Sequence, residues 1–318
     1  MKKFLLVITL LLNFSILAQN IAPQLGNFRV KSSSKNRIYF DSTEPLKGSS
    51  YKGFKLSSNS VSGISINSGK TTGHYLKLSS SLNYWSNITV RYSGGSNLES
   101  TKSKDLQPFT LQHVENNIPE PSYNGKVYYV STRGSNSKSG TSKSNAWKTI
   151  TYAASKARAG DVVYIKAGNY GKEYINMKYS GTTSKPIKFI GYKSSPEDIN
   201  KMYYKRGGGS LKSGEMPLLN GVNKEKAAIR ILGSKYIIIK NLQITKYDEG
   251  IDGNSSSAFN VFDNILVKDV GNSSAGYGII LNNLAGSNKI LNTTIINATN
   301  SLIRIYGDHN LIDNFKGY

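Results

Sequence analysis

Three carboxylates, Asp248, Glu249 and Asp252, sit in the run Lys246-Tyr247-Asp248-Glu249-Gly250-Ile251-Asp252-Gly253, the densest acidic spot in the C-terminal part of the chain. Oxygen donors grouped around one turn are what a calcium ion takes, so these three are the candidate Ca²⁺ ligands. The same region holds Arg230 and Arg304, whose planar guanidinium groups match carboxylates bidentately, together with Asn254, Asn282 and the ring of Tyr306. Arginines, amides and an aromatic ring on one surface are suited to a chain of acidic sugars. His74, His113 and His309 are too scattered for a catalytic pair.

These side chains are of use together only if a repeating element lines them up. The segments 229–231, 251–253, 279–281 and 303–305 align with starts 22, 28 and 24 residues apart, the period of a solenoid. Successive residues of a strand point to opposite faces, so Ile229, Ile251, Ile279 and Ile303 turn inward. Arg230, Asp252, Ile280 and Arg304 then form one outward column, and Leu232, Asn254, Asn282 and Tyr306 the next. Glycoside hydrolysis would need paired aspartates on this face, and Asp252 stands alone in the aligned columns. A second set, Lys240-Asn241, Asp263-Asn264, Asn292-Thr293 and Asp313-Asn314, predicts a ladder of turn asparagines bonded to one another, which is structure rather than chemistry.

The rest of the chain frames this region. Lys2 and Lys3 precede an apolar run, with Ala18 before Gln19, which reads as a signal peptide over 1–18 and predicts a secreted or cell-surface protein. The run is too short and too interrupted for a membrane span. There is no cysteine, and Lys+Arg of 41 against Asp+Glu of 19 gives a net charge of +22. Outside a cell the common polyanions are uronic-acid polymers and sulfated glycans, so the expected partner is acidic polysaccharide rather than nucleic acid, met by a monomer. Short alternating strands between Ser/Gly/Asn turns predict a β-sandwich over 24–114, and the Pro-containing stretch 115–125 reads as a linker.

Two resemblances add to this. Arg37-Ile38-Tyr39-Phe40, Glu44-Pro45-Leu46, Gly53-Phe54, Thr89-Val90-Arg91-Tyr92 and Pro108-Phe109 resemble bacterial immunoglobulin-like modules, which implies an accessory role for the first domain. Beyond the linker come Lys126-Val127-Tyr128-Tyr129-Val130, a Ser/Gly loop, Trp147-Lys148-Thr149-Ile150 leading into a short helix, then Asp161-Val162-Val163-Tyr164-Ile165-Lys166-Ala167-Gly168-Asn169-Tyr170 and Pro186-Ile187-Lys188-Phe189-Ile190-Gly191-Tyr192. This order resembles the cap and first coils of pectate-lyase-like right-handed parallel β-helices. The expected fold is therefore all-β, a sandwich followed by a right-handed parallel β-helix over 126–318, incomplete because Lys316-Gly317-Tyr318 stops part-way through a coil. The resemblance implies a polysaccharide lyase acting by β-elimination on uronate polymers, in which calcium or an arginine neutralises the sugar carboxylate and a basic side chain takes the adjacent proton. Lys246, Lys268 and Arg304 are the candidate bases. The alternative is a non-catalytic glycan-binding or adhesin-like surface β-helix.

Overall fold

The computed structural model describes residues 22–122, 124–200, 211–254, 256–271, 276–282 and 285–318, with 223–225 described by backbone alone. The expected signal segment, 1–18, lies outside the described residues. The chain divides into two compact units, 1–119 and 120–318.

The first unit is built from short strands whose alternate residues are apolar. In Ser34–Ser42, Ile38 and Phe40 are buried while Arg37 and Tyr39 are not. This strand pairs antiparallel with Leu25–Lys31 and with His74–Leu78, which in turn pairs with Val61–Ser65. A three-stranded sheet, Phe54–Leu56, Thr89–Tyr92 and Phe109–His113, shares their core of Phe28, Ile38, Phe40, Phe54, Leu76 and Val90. His74 is fully buried in that core and packs on the Phe40 ring at 5.3 Å, so it is a structural residue. Part of the segment expected as a linker, 115–125, is packed. Glu115–Asn116 pairs parallel with the first strand, and Ile118 joins the first unit's core.

The second unit is a right-handed parallel β-helix with three parallel sheets, here A, B and C. Sheet A runs through Val127–Val130, Val162–Lys166, Ile187–Tyr192, 237–240, 261–263, Lys289–Leu291 and Leu311–Asp313. Sheet B stacks 218–220, 243–245, 266–268, 294–296 and Lys316–Gly317. Sheet C stacks Ile175–Asn176, 229–232, 251–254, 279–281 and 303–305. Near the start a single helix, α1 (Ile150–Lys156), is capped by Thr149, whose hydroxyl accepts from the Tyr152 amide, and buries Ile150, Ala153 and Ala154. Inside the coils one apolar column from each sheet meets the others: Phe189, Ile239, Phe262 and Ile290 from A, Leu219, Ile244, Val267 and Ile295 from B, Ile229, Ile251 and Ile279 from C. Full burial stabilises each such side chain by about 1.5–3 kcal/mol.

The corner between sheets A and B is a left-handed residue in each coil, Asn241, Asn264, Asn292 and Asn314, at φ of 60°, 55°, 48° and 51°. Asparagine tolerates this conformation, and its amide can bond the next coil. The Asn264 amide donates to Asn241 Oδ1 at 2.8 Å, and the Asn314 amide to Asn292 Oδ1 at 2.8 Å. Between them the Asn292 amide donates to Asp263 Oδ1 at 2.6 Å. The third rung differs by one residue from the alignment expected above: Leu291, not Asn292, pairs with Asp263, so Asn292 rather than Thr293 stacks on Asn264. The ladder starts at Gly191, whose carbonyl accepts from the Asn241 amide, and where any Cβ would overlap the Asn241 carbonyl oxygen. A second ladder, Asn260, Asn288 and Asn310, marks the corner entering sheet A. Asn288 Oδ1 accepts from the backbone and side-chain nitrogens of Asn260, and Asn310 Oδ1 from those of Asn288, at 2.9–3.1 Å, while Asn260 Oδ1 accepts from Ile237 N at 3.0 Å.

Candidate functional site

The three faces of the solenoid are dressed differently. The outward side of sheet B is covered by 211–216, which Gln243 binds through Lys212 N, Lys212 O and Met216 O at 2.8–2.9 Å. Sheet A carries the charged cluster described below. On the outward side of sheet C, Tyr306 is 60% and Leu232 40% exposed, while Ile280 between Asp252 and Arg304 is buried.

On that face the outward columns expected from alternation are those observed. Arg230 pairs with Asp252, Asp252 with Ile280, and Ile280 with Arg304, while Leu232 lies beside Asn254. Asn282 and Tyr306 continue the second column, their amides donating to Gly253 O and Leu281 O. A third column, which the sequence reading did not include, adds Glu249 beside Tyr277, and Tyr277 beside Ser301. Tyr277 has the parity of the inward Ile279, so counting by two would have turned it into the core, and only its hydroxyl's bond with Arg304 shows that it faces outward.

Arg304 lies between two tyrosines. Its Nε donates to the Tyr306 hydroxyl at 2.6 Å and its terminal nitrogens to the hydroxyls of Tyr277 and Tyr306. The guanidinium carbon stands 4.8 Å from the centre of the Tyr306 ring and 5.4 Å from that of Tyr277. Asn300 donates to the Tyr277 hydroxyl at 3.1 Å. The result is a cation flanked by aromatic faces on an exposed, flat parallel sheet. At the other end of the column Arg230 Nε is 3.7 Å from Asp252 Oδ2, beyond hydrogen-bond reach, and is buried without a hydrogen-bond partner. Asn282 Oδ1 is buried without one as well. Among the described residues these two buried atoms have no hydrogen-bond partner.

The acidic residues follow a different geometry from the one expected. Asp248 and Glu249 follow directly on the corner at Lys246 within Ile237–Asn254, and Asp252 lies farther along, in the sheet C part of that strand. Among the described residues no three acidic, histidine or cysteine side chains come together as a metal-holding group. Asp248, Glu249 and Asp252 therefore do not fit a calcium cage, and no step of the chemistry is routed through one. The candidate bases are dispersed too. Lys268 stands on sheet B, in register with Thr245, and Lys246 is an exposed left-handed residue at the corner from B to C. Arg304 alone of the three is on sheet C, because the solenoid turns through a corner between each pair of sheets.

Burial pushes the Glu249 carboxyl up to about 7, with the charges of Asp252 and Asp248 adding to the effect and Arg230 opposing it. Asp252 is raised by burial as well, against the pull of Arg230. A carboxyl whose folded value lies above its unfolded one favours the fold at low pH, and this contribution is lost as pH rises through about 7. Glu249→Gln is therefore expected to raise the melting temperature at pH 8 and to leave it nearly unchanged at pH 5. Equal shifts at both pH values, measured by thermal unfolding, would show that the charge of Glu249 is not under strain.

No family model matches this chain. The uncharacterized protein YwoF of Bacillus subtilis (strain 168) is 31% identical over 137 residues, a match covering 42% of this chain and 27% of that protein. Similar solved structures include a rhamnogalacturonan lyase (TM-score 0.43, 16% identity, 61% of this chain and 52% of that one). A pectate lyase (0.43, 14%, 62% and 55%) is another. A lacto-N-biosidase from Eubacterium ramulus (0.43, 13%, 60% and 41%) is a third. The chain thus spans 41–55% of the length of these solved structures, and 27% of the curated protein.

Proposed function

We propose that this is an exported protein that binds acidic polysaccharide along the outward face of sheet C and cleaves it by β-elimination. The observation that carries the reading is the Arg304–Tyr277–Tyr306 cluster, in line with Arg230 three strands away on the same open sheet. Strands of a sheet are about 4.8 Å apart, so the two arginines stand roughly 14 Å from each other along the face. Each can take a sugar carboxylate through its guanidinium while the tyrosine rings stack on the sugars. Asn254 and Asn282, in the second outward column, are placed for hydroxyl groups.

In the elimination, an arginine neutralises the uronate carboxylate and so acidifies the C–H beside it. Glu249, on the same face, accepts that proton. The C–H electron pair becomes a double bond to the neighbouring carbon, the bond from that carbon to the glycosidic oxygen breaks, and the leaving oxygen takes a proton from water. The net charge of +22 draws the polyanion to the protein.

A second reading is a binding module without catalysis, favoured by the guanidinium of Arg304 being already held by two hydroxyls on an exposed face. Near-ultraviolet absorbance with polygalacturonate, alginate and hyaluronan separates the two, since elimination leaves an absorbing double bond. The expected result is rising absorbance with one of these polymers, and Arg304→Ala should weaken binding of that polymer about tenfold or more. Binding without absorbance would leave the module reading, and no binding by any of the three would sink both.

A further inference from the structure

Sheet A carries a second concavity. A cleft of about 480 Å³ on its outward side is lined by Glu120, Lys188, Ile190, Glu197, Lys240 and Asp263, among others. That volume lies within the roughly 300–1,000 Å³ typical of small-molecule sites. We infer that this cleft is a separate binding site for an uncharged sugar unit.

The charges at its base neutralise one another. Glu120 Oε1 is 2.8 Å from Lys188 Nζ, Glu120 Oε2 is 2.6 Å from Lys240 Nζ, and Lys240 reaches toward Asp263 at 3.9 Å. In a chain of net charge +22 this is a place without surplus positive charge, unlike the arginines of sheet C. A polyanion gains nothing here. A polyhydroxylated ring gains carboxylate acceptors for its hydroxyls and, on Ile190 and Ile199, an apolar wall for its C–H face.

The rim is preorganised. Glu197 is held at φ 67°, a left-handed conformation unusual for glutamate. The loop that imposes it is fastened by Asp198, whose carboxylate accepts from the amides of Lys193, Ser194 and Ser195 at 2.7, 2.6 and 2.8 Å. These three bonds hold the Asp198 carboxyl below its ordinary range despite the opposing effect of burial. Lys193 is paired with Glu215 at 2.7 Å, and the Tyr164 hydroxyl donates to Glu197 Oε1 at 3.2 Å, so both the backbone and the carboxylate are aimed. Local strain maintained by such an over-determined loop is a mark of a functional position.

The site is on a different face from sheet C and does not depend on the elimination proposed there. Isothermal titration calorimetry of the full chain with xylotetraose, cellotetraose and triacetylchitotriose tests it. At least one is expected to bind with a stoichiometry of one. Glu197→Ala should weaken that binding tenfold or more, Glu197→Gln less, and Arg304→Ala not at all, with trigalacturonate failing to compete. Unchanged thermal midpoints in the Glu197 variants would confirm that folding is intact, as expected for an exposed side chain. Absence of binding by all three sugars, binding insensitive to Glu197→Ala, or equal loss in Arg304→Ala would each overturn the assignment.

Discussion

Replacing Glu120 with alanine is expected to lower the unfolding free energy of the chain by about 3–5 kcal/mol, the usual cost of stranding the partner of a buried ion pair. Lys188 and Lys289 are each 5% exposed; Glu120 pairs with Lys188 at 2.8 Å, and its charge also favours the ammonium of Lys289. Lys188 also donates to the Pro121 carbonyl at 2.6 Å. Burial pulls the Lys289 ammonium down to about 8, with Glu120 resisting that fall. Burial also works against the ionised Glu120, yet Lys240 and Lys188 outweigh it and keep the carboxyl below its ordinary range. Glu120→Ala removes the compensation and leaves the desolvated ammonium groups. Denaturant unfolding measures the loss, and the double variant Glu120→Leu, Lys188→Met should recover a large part of it, because an apolar pair replaces an unpaired charge. A loss of less than 1 kcal/mol, on the order of an exposed ion pair, would mean that water reaches the cluster freely.

Asn288→Ala should be nearly as damaging, at about 2–5 kcal/mol, for a reason unrelated to charge. Asn288 is fully buried. Its Oδ1 accepts from both the backbone nitrogen and the side-chain amide of Asn260 at 3.0 Å, and its own amide donates to Ser257 O at 3.3 Å and Asn310 Oδ1 at 3.1 Å. Alanine leaves the buried Asn260 donors without their acceptor, at about 1–3 kcal/mol for each unsatisfied group. Asn314→Ala, at an exposed rung of the other ladder, should cost only about 1 kcal/mol, most of it from holding alanine in a left-handed conformation. Comparing the two by urea unfolding tests whether burial, rather than membership of a ladder, sets the cost. Similar losses at both positions would refute that.

What could be read from the sequence was what repeats locally. The Ile-x-Ile triplets of sheet C carry their own alternation, so their register and the outward places of Arg230, Asp252, Arg304 and Tyr306 follow from counting by two. The asparagine corner was visible for the same reason, and slipped by one only where Leu291 replaces the aspartate that precedes the asparagine in the coils on either side, Asp263 and Asp313. The acidic run begins at a real corner, Lys246 between sheets B and C, but charge density alone does not tell how the carboxylates beyond it are grouped. The sheet A cleft was not legible at all. Its walls come from Glu120, Lys188, Glu197, Lys240 and Asp263, residues far apart in sequence that only coiling brings together. Lys188 alternates as a solvated edge lysine would, and nothing local signals that a glutamate from a Pro-rich stretch covers it. Ile118, a lone apolar residue between polar neighbours, gave too short a pattern to show that its segment is packed.

The left-handed asparagines also make the β-helix modular. Asn241, Asn264, Asn292 and Asn314 are separated by 23, 28 and 22 residues, yet each occupies the same place in its coil and offers the same amide to its neighbour. The differences in length are absorbed elsewhere around the ring, so this corner acts as a common coupling between coils of unequal size. A segment that begins just after one such asparagine and ends on the next can in principle be duplicated, exchanged or deleted as a whole, with the coupling restored by the asparagine that takes its place. The binding surface could then change length in whole-coil increments while its backbone support stays the same.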